Sequence, residues 1–250
     1  MKKFIDKRLF SQEINKMGYG IFASEFIPKD TIIEVSKLLL LTKPSLPKQV
    51  SLLKNYFFNY DSKTSAIALG YGSIYNHTDD GMQTVDYTVK KNVMVYKTIK
   101  DVKKYQQLTI NYGYWWAFYK NLNLKNKIIF AKNEKNQPFF ISSKIKIKND
   151  KLYAIEDIQE GEKVEVAHGL EFKKINKNFP MKKFATNFFL DKKQIYVFPF
   201  GFASFYIIKD EDKANINYYI ENKKVHFVAK RKIEKGEALS VFKTNIYNQY

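Results

Sequence analysis

The stretch from Leu69 to Asp79 concentrates the residue types best suited to chemistry in this chain. It contains glycines, which let the main chain approach another group closely, two tyrosine phenols, and the polar pair Asn76-His77 directly after Tyr75. A purely structural turn would need the glycines but would have no use for a polar Asn-His step. The alternative is a buried, hydrogen-bonded pair within a turn. The downstream Tyr112 favours a functional site.

Composition argues against several other kinds of site. The chain has no cysteine, which excludes disulfides and thiolate zinc sites, and its three histidines are too few for us to expect a metal centre. The basic start, Met1 to Arg8, has no apolar run behind it, so it does not resemble a signal peptide. The longest strongly apolar run, about Leu38 to Leu41, is far too short to span a membrane. We therefore expect a soluble, cytoplasmic protein without a metal.

The formal net charge of +18 raises the question of a polyanionic partner. Almost all of the basic residues are lysine, and arginine occurs only at Arg8 and Arg231. Base recognition and bidentate phosphate contacts favour arginine. The first interpretation is therefore a solvated lysine surface. The alternative is an electrostatic role in attracting an acidic or nucleic-acid-associated partner.

The two halves of the chain repeat each other at a constant offset. The pattern from Ile21 to Val35 matches that from Leu152 to Val166 without a gap, after a shift of 131 positions. At the same offset further identities appear: Gly70 with Gly201, Ser73 with Ser204, Tyr75 with Tyr206, and Tyr87 with Tyr218. One shift that holds over a whole half is hard to obtain by chance. The pattern predicts a tandem duplication.

Each half also contains a smaller recurrence. An Ala or Thr is followed four residues later by Ile or Val, and then by a turn and an alternating apolar run, starting at Ala23, Thr98, Ala154 and Ala229. Such units are typical of strand, tight turn and strand. They lie 75 residues apart within each half, which predicts two β-clips brought together around the middle segment. A further strand pair is predicted at Phe57 to Tyr60 and Ala66 to Leu69.

The predicted fold class is thus mainly β, with small sheets, a few short helices and two tandem copies. The spacing of Leu46, Val50 and Leu53 predicts a helix within Ser45 to Asn55. The Lys- and Asn-rich interval from Lys120 to Gln137 is the expected junction between the halves. The expected domains are therefore residues 1–120 and 121–250.

The N-terminal half resembles the SET domain of protein lysine methyltransferases over most of residues 14 to 114. The family's opening Gly-x-Gly corresponds to Gly18–Gly20, its central Asn-His-Ser to Asn76–Thr78, and its closing Leu-Thr-x-x-Tyr to Leu108–Tyr112. Any one of these motifs is weak by itself. Together, in this order and joined by the two β units, they make a specific signal.

This resemblance implies S-adenosyl-L-methionine as the cofactor, a protein or peptide lysine as the substrate, and a narrow channel between them. Methyl transfer from a sulfonium to an amine needs no metal, but the lysine must arrive neutral although its free pKa is about 10.4. By resemblance, Tyr112 is the catalytic phenol at the transfer point, and Tyr75 and Tyr114 line the substrate channel. The expected cofactor-binding residues are Gly18, Tyr19, Gly20, Asn76, His77 and Tyr112.

The N-terminal half also departs from the family pattern. The Pro-Asn that usually follows the central motif is replaced around Gly81-Met82, and the usual Gly-Glu-Glu turn reads Tyr105–Gln107. These changes remove one hydrogen-bonding asparagine and two carboxylates. They keep open an alternative function: a catalytically inactive tandem scaffold that binds protein or nucleic acid through its lysine-rich surface.

The second half keeps the frame but not the polar residues. Ile207-Ile208 stand opposite Asn76-His77, and Lys243 stands opposite Tyr112. Apolar side chains cannot replace polar cofactor contacts, so residues 121–250 are expected to be a degenerate, inactive SET-like copy. The chain would then be a monomer acting as a pseudo-dimer.

Overall fold

The computed structural model describes residues 2–14, 18–42, 56–79, 81–113, 129–131, 140–172, 187, 189–190 and 195–243. Its regular structure there is mainly strand, which confirms the predicted fold class. The strands of the N-terminal half are β1 (Phe4–Ile5), β2 (Leu9–Ile14), β3 (Gly18–Ala23), β4 (Ile32–Thr42), β5 (Phe58–Asn59), β6 (Thr64–Ala68), β7 (Asn76–His77), β8 (Val85–Lys90), β9 (Val93–Thr98) and β10 (Gln107–Ile110). Those of the C-terminal half are β11 (Phe140–Ile141), β12 (Ile145–Lys148), β13 (Lys151–Ala154), β14 (Lys163–Phe172), β15 (Phe189–Leu190), β16 (Tyr196–Pro199), β17 (Ile207–Ile208), β18 (Ile216–Glu221), β19 (Lys224–Ala229) and β20 (Ser240–Val241). Single 3-10 turns lie at Gly72–Ile74 and Phe202–Phe205.

Strand β4 is the centre of the larger N-terminal sheet, whose order is β5-β6-β4-β9-β8, with β1 also paired to β4. β4 pairs with β9 through Val35↔Val95 and with β6 through Leu38↔Ala68. Its Ile, Val and Thr side chains favour an extended strand, and most of its residues are buried. The predicted pairing of the segments around residues 57–60 and 66–69 is confirmed, since β5 pairs antiparallel with β6.

The smaller N-terminal sheet has the order β2-β3-β10-β7 and carries the predicted motifs. β10 runs antiparallel to β3, with Leu108 opposite Ile21, and parallel to β7, with Ile110 opposite His77. The closing motif therefore lies between the glycine strand and the Asn-His strand, although it is far from both in sequence.

The same arrangement of strands recurs in the C-terminal half. Strands β17, β18 and β19 begin 131 residues after β7, β8 and β9. The antiparallel pair β8–β9 recurs as β18–β19, and the parallel pair β7–β10 recurs as β17–β20. The described parts of the two halves thus share one order of elements. That the second half descends from the same family stays a prediction.

The predicted β-clips meet in each half. Ile27 and Val102 exchange two main-chain hydrogen bonds of 2.9 Å, and Ile158 and Ile233 do the same in the second half. All four side chains are buried. The recurrent Ile or Val therefore marks the point at which the two clips of one half pair with each other.

The two halves pack into one continuous hydrophobic core. At their contact the amide of Gly201 donates a hydrogen bond to the carbonyl of Gly70 at 3.0 Å, and these glycines correspond at the 131-residue offset. Both have positive φ values, 82° at Gly70 and 93° at Gly201. A Cβ at Gly70 would lie 2.6 Å from Glu34 Oε1, and one at Gly201 would lie 3.1 Å from the Tyr71 ring. This contact between Gly70 and Gly201 is the crossing of the two halves. Only glycine fits at either position without displacing its neighbours.

A buried carboxyl lies beside the crossing in each half. Glu34 accepts hydrogen bonds from Ser36 Oγ at 2.7 Å, from the Tyr71 amide at 2.8 Å and from the Tyr75 phenol at 3.0 Å. Burial raises the pKa of Glu34 to about 7, against these hydrogen bonds, which lower it. Its counterpart Glu165 accepts the Ala203 amide at 3.1 Å, and burial raises the pKa of Glu165 to about 8.

These two carboxyls predict that the protein becomes less stable as the pH rises from about 4.5 to 8. A raised pKa means that the native state keeps a proton that the unfolded chain has already released, so the free energy of unfolding falls with pH across this window. From the shifts in pKa, the loss is on the order of 3 kcal/mol for Glu34 and on the order of 5 kcal/mol for Glu165. Urea unfolding at several pH values measures it. Glu165→Gln should flatten the slope, and an unchanged slope in Glu165→Gln would contradict this account.

Two predictions about the fold lie partly or wholly outside the described residues. The helix expected within Ser45 to Asn55 falls outside them. Of the expected junction, only residues 129–131 are described, and these pair with the first half: the amide of Gln107 donates to the carbonyl of Ile129 at 2.8 Å, and that of Ala131 to the carbonyl of Tyr105 at 2.8 Å. Within the described ranges, none of the helical segments has the length and apolar character needed to cross a bilayer.

Candidate functional site

The closing motif is joined to the Asn-His strand by an imidazole. The amide of Tyr112 donates a hydrogen bond to His77 Nδ1 at 3.0 Å, and the two rings lie 5.2 Å apart between centroids. Because Nδ1 accepts this bond, the neutral ring carries its proton on Nε2, which faces Asp79 at 3.7 Å. Burial lowers the pKa of His77, and the nearby Asp79 acts in the opposite direction. His77 is therefore suited to holding Tyr112 in place as a neutral hydrogen-bond acceptor.

The Tyr112 phenol points back to the main chain beside His77. Its hydroxyl donates to the carbonyl of Tyr75 at 2.5 Å, and burial raises the pKa of Tyr112 well above its ordinary value. Tyr112 therefore stays protonated at neutral pH, and its proton is directed at Tyr75. The remaining lone pairs of this oxygen can accept weak C–H contacts. Tyr112 is thus suited to orienting a group but not to removing a proton.

Tyr75 takes part through its main chain rather than its ring. The residue is only 1% exposed, its phenol donates to Glu34, and its ring stacks on Tyr96 with centroids 4.8 Å apart. The sequence suggested that Tyr75 lines a substrate channel with its side chain, whereas the structure buries that side chain in the core. The half-buried rings of Tyr56 and Tyr87 lie near Tyr112 instead. Tyr114 lies outside the described residues.

Three buried amides surround the glycine strand. A Cβ at Gly20 would lie 2.5 Å from Gln107 Nε2 and 2.7 Å from Asn76 Nδ2, so this glycine allows a very close approach. Among the described residues, neither of these two nitrogens has a hydrogen-bond partner, and neither does Oε1 of Gln12, which pairs with Gly20 across β2 and β3. Buried polar atoms without partners are costly and are expected where a ligand completes them.

The other residues of the glycine motif are placed differently. Gly18, the first residue of β3, has a φ of 77° and open space around a Cβ position, so its left-handed conformation favours glycine. Tyr19 directs its ring away from the amides and stacks it on His168 of the second half, with centroids 4.5 Å apart. Burial raises the pKa of Tyr19 to about 12. The main chain of Gly18–Gly20, rather than the Tyr19 phenol, therefore borders the cluster of amides.

The sequence interpretation missed Gln12, Gln107 and His168. Gln107 was noted only as the loss of a carboxylate from the closing turn, but its amide reaches Gly20. One signal could have indicated Gln107: it directly precedes Leu108 of the closing motif, and this motif was expected to lie beside the glycine motif in one site. Nothing in the local sequence indicates Gln12 or His168, because their contacts depend on strand register and on the packing of the two halves.

The corresponding place in the second half lacks the polar pair. Ile207-Ile208 occupy the strand that corresponds to Asn76-His77. Lys243 corresponds to Tyr112, and its Nζ lies 3.5 Å from the centroid of the Phe189 ring. The residue as a whole is only half-buried, but burial lowers the pKa of its amine well below that of a free lysine. The buried amine thus lies against an aromatic ring in this half.

The described ranges contain no group of histidine and carboxylate side chains arranged to hold a metal ion.

Comparisons with known proteins locate the family on the same segment. The model of the SET domain matches residues 18–113. A histone-lysine N-methyltransferase of Schizosaccharomyces pombe, specific for H3 lysine-37, is 28% identical over 130 residues, which is 51% of this chain and 87% of that protein.

Two solved structures also align with parts of this chain. A crystal structure of a candidate histone methyltransferase of Plasmodium falciparum is 30% identical, with a TM-score of 0.36, and the alignment covers 45% of this chain and 99% of that one. The Cryptosporidium protein CpSET8 is 19% identical with a TM-score of 0.34, covering 42% of this chain and 57% of that one.

The family match begins at Gly18 and ends at Gly113, so it encloses the glycine strand, the Asn-His strand and Tyr112. These are the parts that the fold brings into contact. Residues 18–113 of this chain therefore belong to the SET domain family.

Proposed function

We propose that the N-terminal half is a protein lysine methyltransferase that uses S-adenosyl-L-methionine. The observation that carries the proposal is the contact of Tyr112 with both His77 and Tyr75, next to buried amides that lack partners. The S. pombe relative supports the choice of lysine as the acceptor, since it is a histone-lysine N-methyltransferase.

The residues present fit the cofactor. Asn76 and Gln107 offer unpaired buried amide N–H groups beside Gly20. Because Gly20 has no side chain, a ligand can approach the main chain closely there. Such donors suit the carboxylate and ring nitrogens of a nucleoside-linked amino acid. We therefore assign cofactor binding to Gly18–Gly20, Asn76 and Gln107, with His77 holding the adjacent chain in place.

When bound, the cofactor supplies a methyl group attached to a positively charged sulfur. The protein positions the acceptor amine, because alignment of reacting groups is the main requirement of such a displacement. The Tyr112 oxygen, fixed by its hydrogen bond to the Tyr75 carbonyl, orients the reacting groups through weak contacts. The rings of Tyr56, Tyr87 and Tyr112 exclude water and favour the neutral form of the substrate amine. Because Tyr112 is itself protonated and cannot act as a base, the amine gives its proton to solvent before it enters the site.

We assign no methyl transfer to the second half. Ile207 and Ile208 offer no polar side chain where Asn76 and His77 stand, and the amine of Lys243 lies against Phe189 at the position that corresponds to Tyr112. The second half instead contributes to the core that it shares with the first. The unit of function is then one chain whose two halves act as a pseudo-dimer.

Calorimetry with S-adenosyl-L-methionine tests the proposal. We expect binding by the unmodified chain, and a loss of affinity of about tenfold in Asn76→Ala, which corresponds to about 1.4 kcal/mol for one buried hydrogen bond. The matched control is Asn217→Ala, at an exposed position of β18. No binding at millimolar cofactor would overturn the proposal. In that case the alternative, a scaffold that binds nucleic acid through its lysines, predicts binding with a steep dependence on salt.

A further inference from the structure

A histidine of the second half contacts the glycine motif. His168 lies in β14 and is only 2% exposed. Its ring stacks on Tyr19 with an interplanar angle of 20° and centroids 4.5 Å apart. Its Nδ1 lies 3.1 Å from Ser11 Oγ. Because Ser11 pairs with Ile21 across β2 and β3, both contacts of His168 fall on the strand pair that carries Gly18–Gly20.

This histidine is neutral at physiological pH and is held by its own strand. Burial, and then the charge of Lys224, lower the pKa of His168 to about 4. The carbonyl of His168 accepts the amide of Phe200 at 2.7 Å, and the next residue, Gly169, donates to the carbonyl of Lys223 at 3.0 Å. β14 also pairs with β16 and β19. The ring is therefore a fixed surface on which Tyr19 rests.

The residues that correspond to Tyr19 and His168 in the other halves do not form a ring stack. At the 131-residue offset, Tyr19 corresponds to Asp150 and His168 to Lys37. Asp150 forms an ion pair with Lys3. Burial acts to raise the pKa of Asp150, but the hydrogen bonds and charge of Lys3, with a further contribution from Lys37, lower it overall. Lys37 is exposed. The stacked pair exists only where it supports the glycine motif that lies beside the unpaired amides.

We infer that His168 is a positioning residue for the cofactor site, supplied by the second half, which fixes the main chain of Gly18–Gly20 through the Tyr19 ring. The identity of the ligand rests on the proposed function, whereas the contacts do not. His168 acts on the site indirectly, through its stacking on Tyr19 and its hydrogen bond with Ser11 on the neighbouring strand. This gives the second half a role in the site without any chemistry of its own.

Cofactor calorimetry on three variants provides the first test. Stacking of aromatic rings contributes about 1 kcal/mol beyond the area it buries, so His168→Ala should weaken affinity by about five- to tenfold. His168→Phe, which keeps a ring, should stay within about twofold of the unmodified chain. Lys37→Ala, at the corresponding position of the other half, should change nothing. In steady-state assays His168→Ala should raise KM for the cofactor while leaving kcat at saturation nearly unchanged.

Hydrogen exchange at the amides of β3 provides a second test that needs no cofactor. Exchange should become about fivefold faster in His168→Ala and stay unchanged in His168→Phe, for a contact worth about 1 kcal/mol of local stability. If His168→Ala does not fold, His168→Leu, which keeps volume without a ring, replaces it. The inference would be overturned if the β3 amides of the variant without a ring exchanged at the same rate as those of the unmodified chain. It would also be overturned if exchange were accelerated as much in His168→Phe as in that variant. If the unmodified chain fails to bind cofactor while exchange responds as expected, the proposed function alone is wrong.

Discussion

Replacing Tyr112 by phenylalanine should lower turnover by about 100-fold, the cost expected when a reacting group is misplaced by about 1 Å. The hydroxyl of Tyr112 donates to the Tyr75 carbonyl, and this bond fixes the oxygen that faces the reacting groups. The main-chain bond from Tyr112 to His77 does not involve the hydroxyl and survives the change. Cofactor affinity should therefore stay within about twofold, because the glycine strand and its amides are untouched.

The measurement is single-turnover methyl transfer to a protein substrate, together with calorimetry of the cofactor. The matched control is Tyr218→Phe in the second half, since that phenol also donates to a main-chain carbonyl, that of Leu190, at 3.2 Å. Tyr218→Phe should leave turnover unchanged. A parallel loss of turnover and cofactor affinity in Tyr112→Phe would show that Tyr112 has a structural role instead.

Replacing Gly20 by alanine should weaken cofactor binding by about 100-fold. The new methyl group would lie 2.5 Å from Gln107 Nε2, 2.6 Å from Ile14 Cδ1 and 2.7 Å from Asn76 Nδ2. All three are the ends of side chains that can rotate, so the chain still folds, at an overpacking cost of about 1–3 kcal/mol. Both amides lose their places, and two hydrogen bonds of about 1.5 kcal/mol each account for the loss of affinity.

Gly161→Ala is the control for this loss of stability. Gly161 lies at a turn of the second half, with a φ of 75° and open space around a Cβ position. Alanine there costs about 1–2 kcal/mol through its left-handed conformation but touches no ligand. Its cofactor affinity should equal that of the unmodified chain. Normal affinity in Gly20→Ala would mean that the amides beside Gly20 do not bind the cofactor.

Much of the fold could be predicted because its signals are local or periodic. The alternating apolar runs predicted strands, and the recurrent units predicted two β-clips brought together in each half. The structure shows that these clips pair at Ile27–Val102 and Ile158–Ile233. The constant offset of 131 predicted that both halves would have the same order of strands. Strand identity depends on neighbouring residues, and a repeat is visible without any knowledge of packing.

The candidate site could be predicted only in part. Motif order placed Asn76, His77 and Tyr112 in one site, and the structure brings these three together. The direction of each side chain could not be predicted, as Tyr75 shows: a two-residue strand after a 3-10 turn decides which way its ring points. The amides of Gln12 and Gln107 lie in the site only because of the register in which their strands pair with β3.

The sequence by itself determined the family of the N-terminal half, the mainly β character of the chain and the residues that carry its polar motifs. The tertiary structure alone decided that Tyr75 contributes a carbonyl, that Gly20 is enclosed by amides, and that His168 supports Tyr19 from the other half. The physical reason is separation along the chain. His168 and Tyr19 meet only because two halves bury a common core, and no local pattern records which of their side chains will touch.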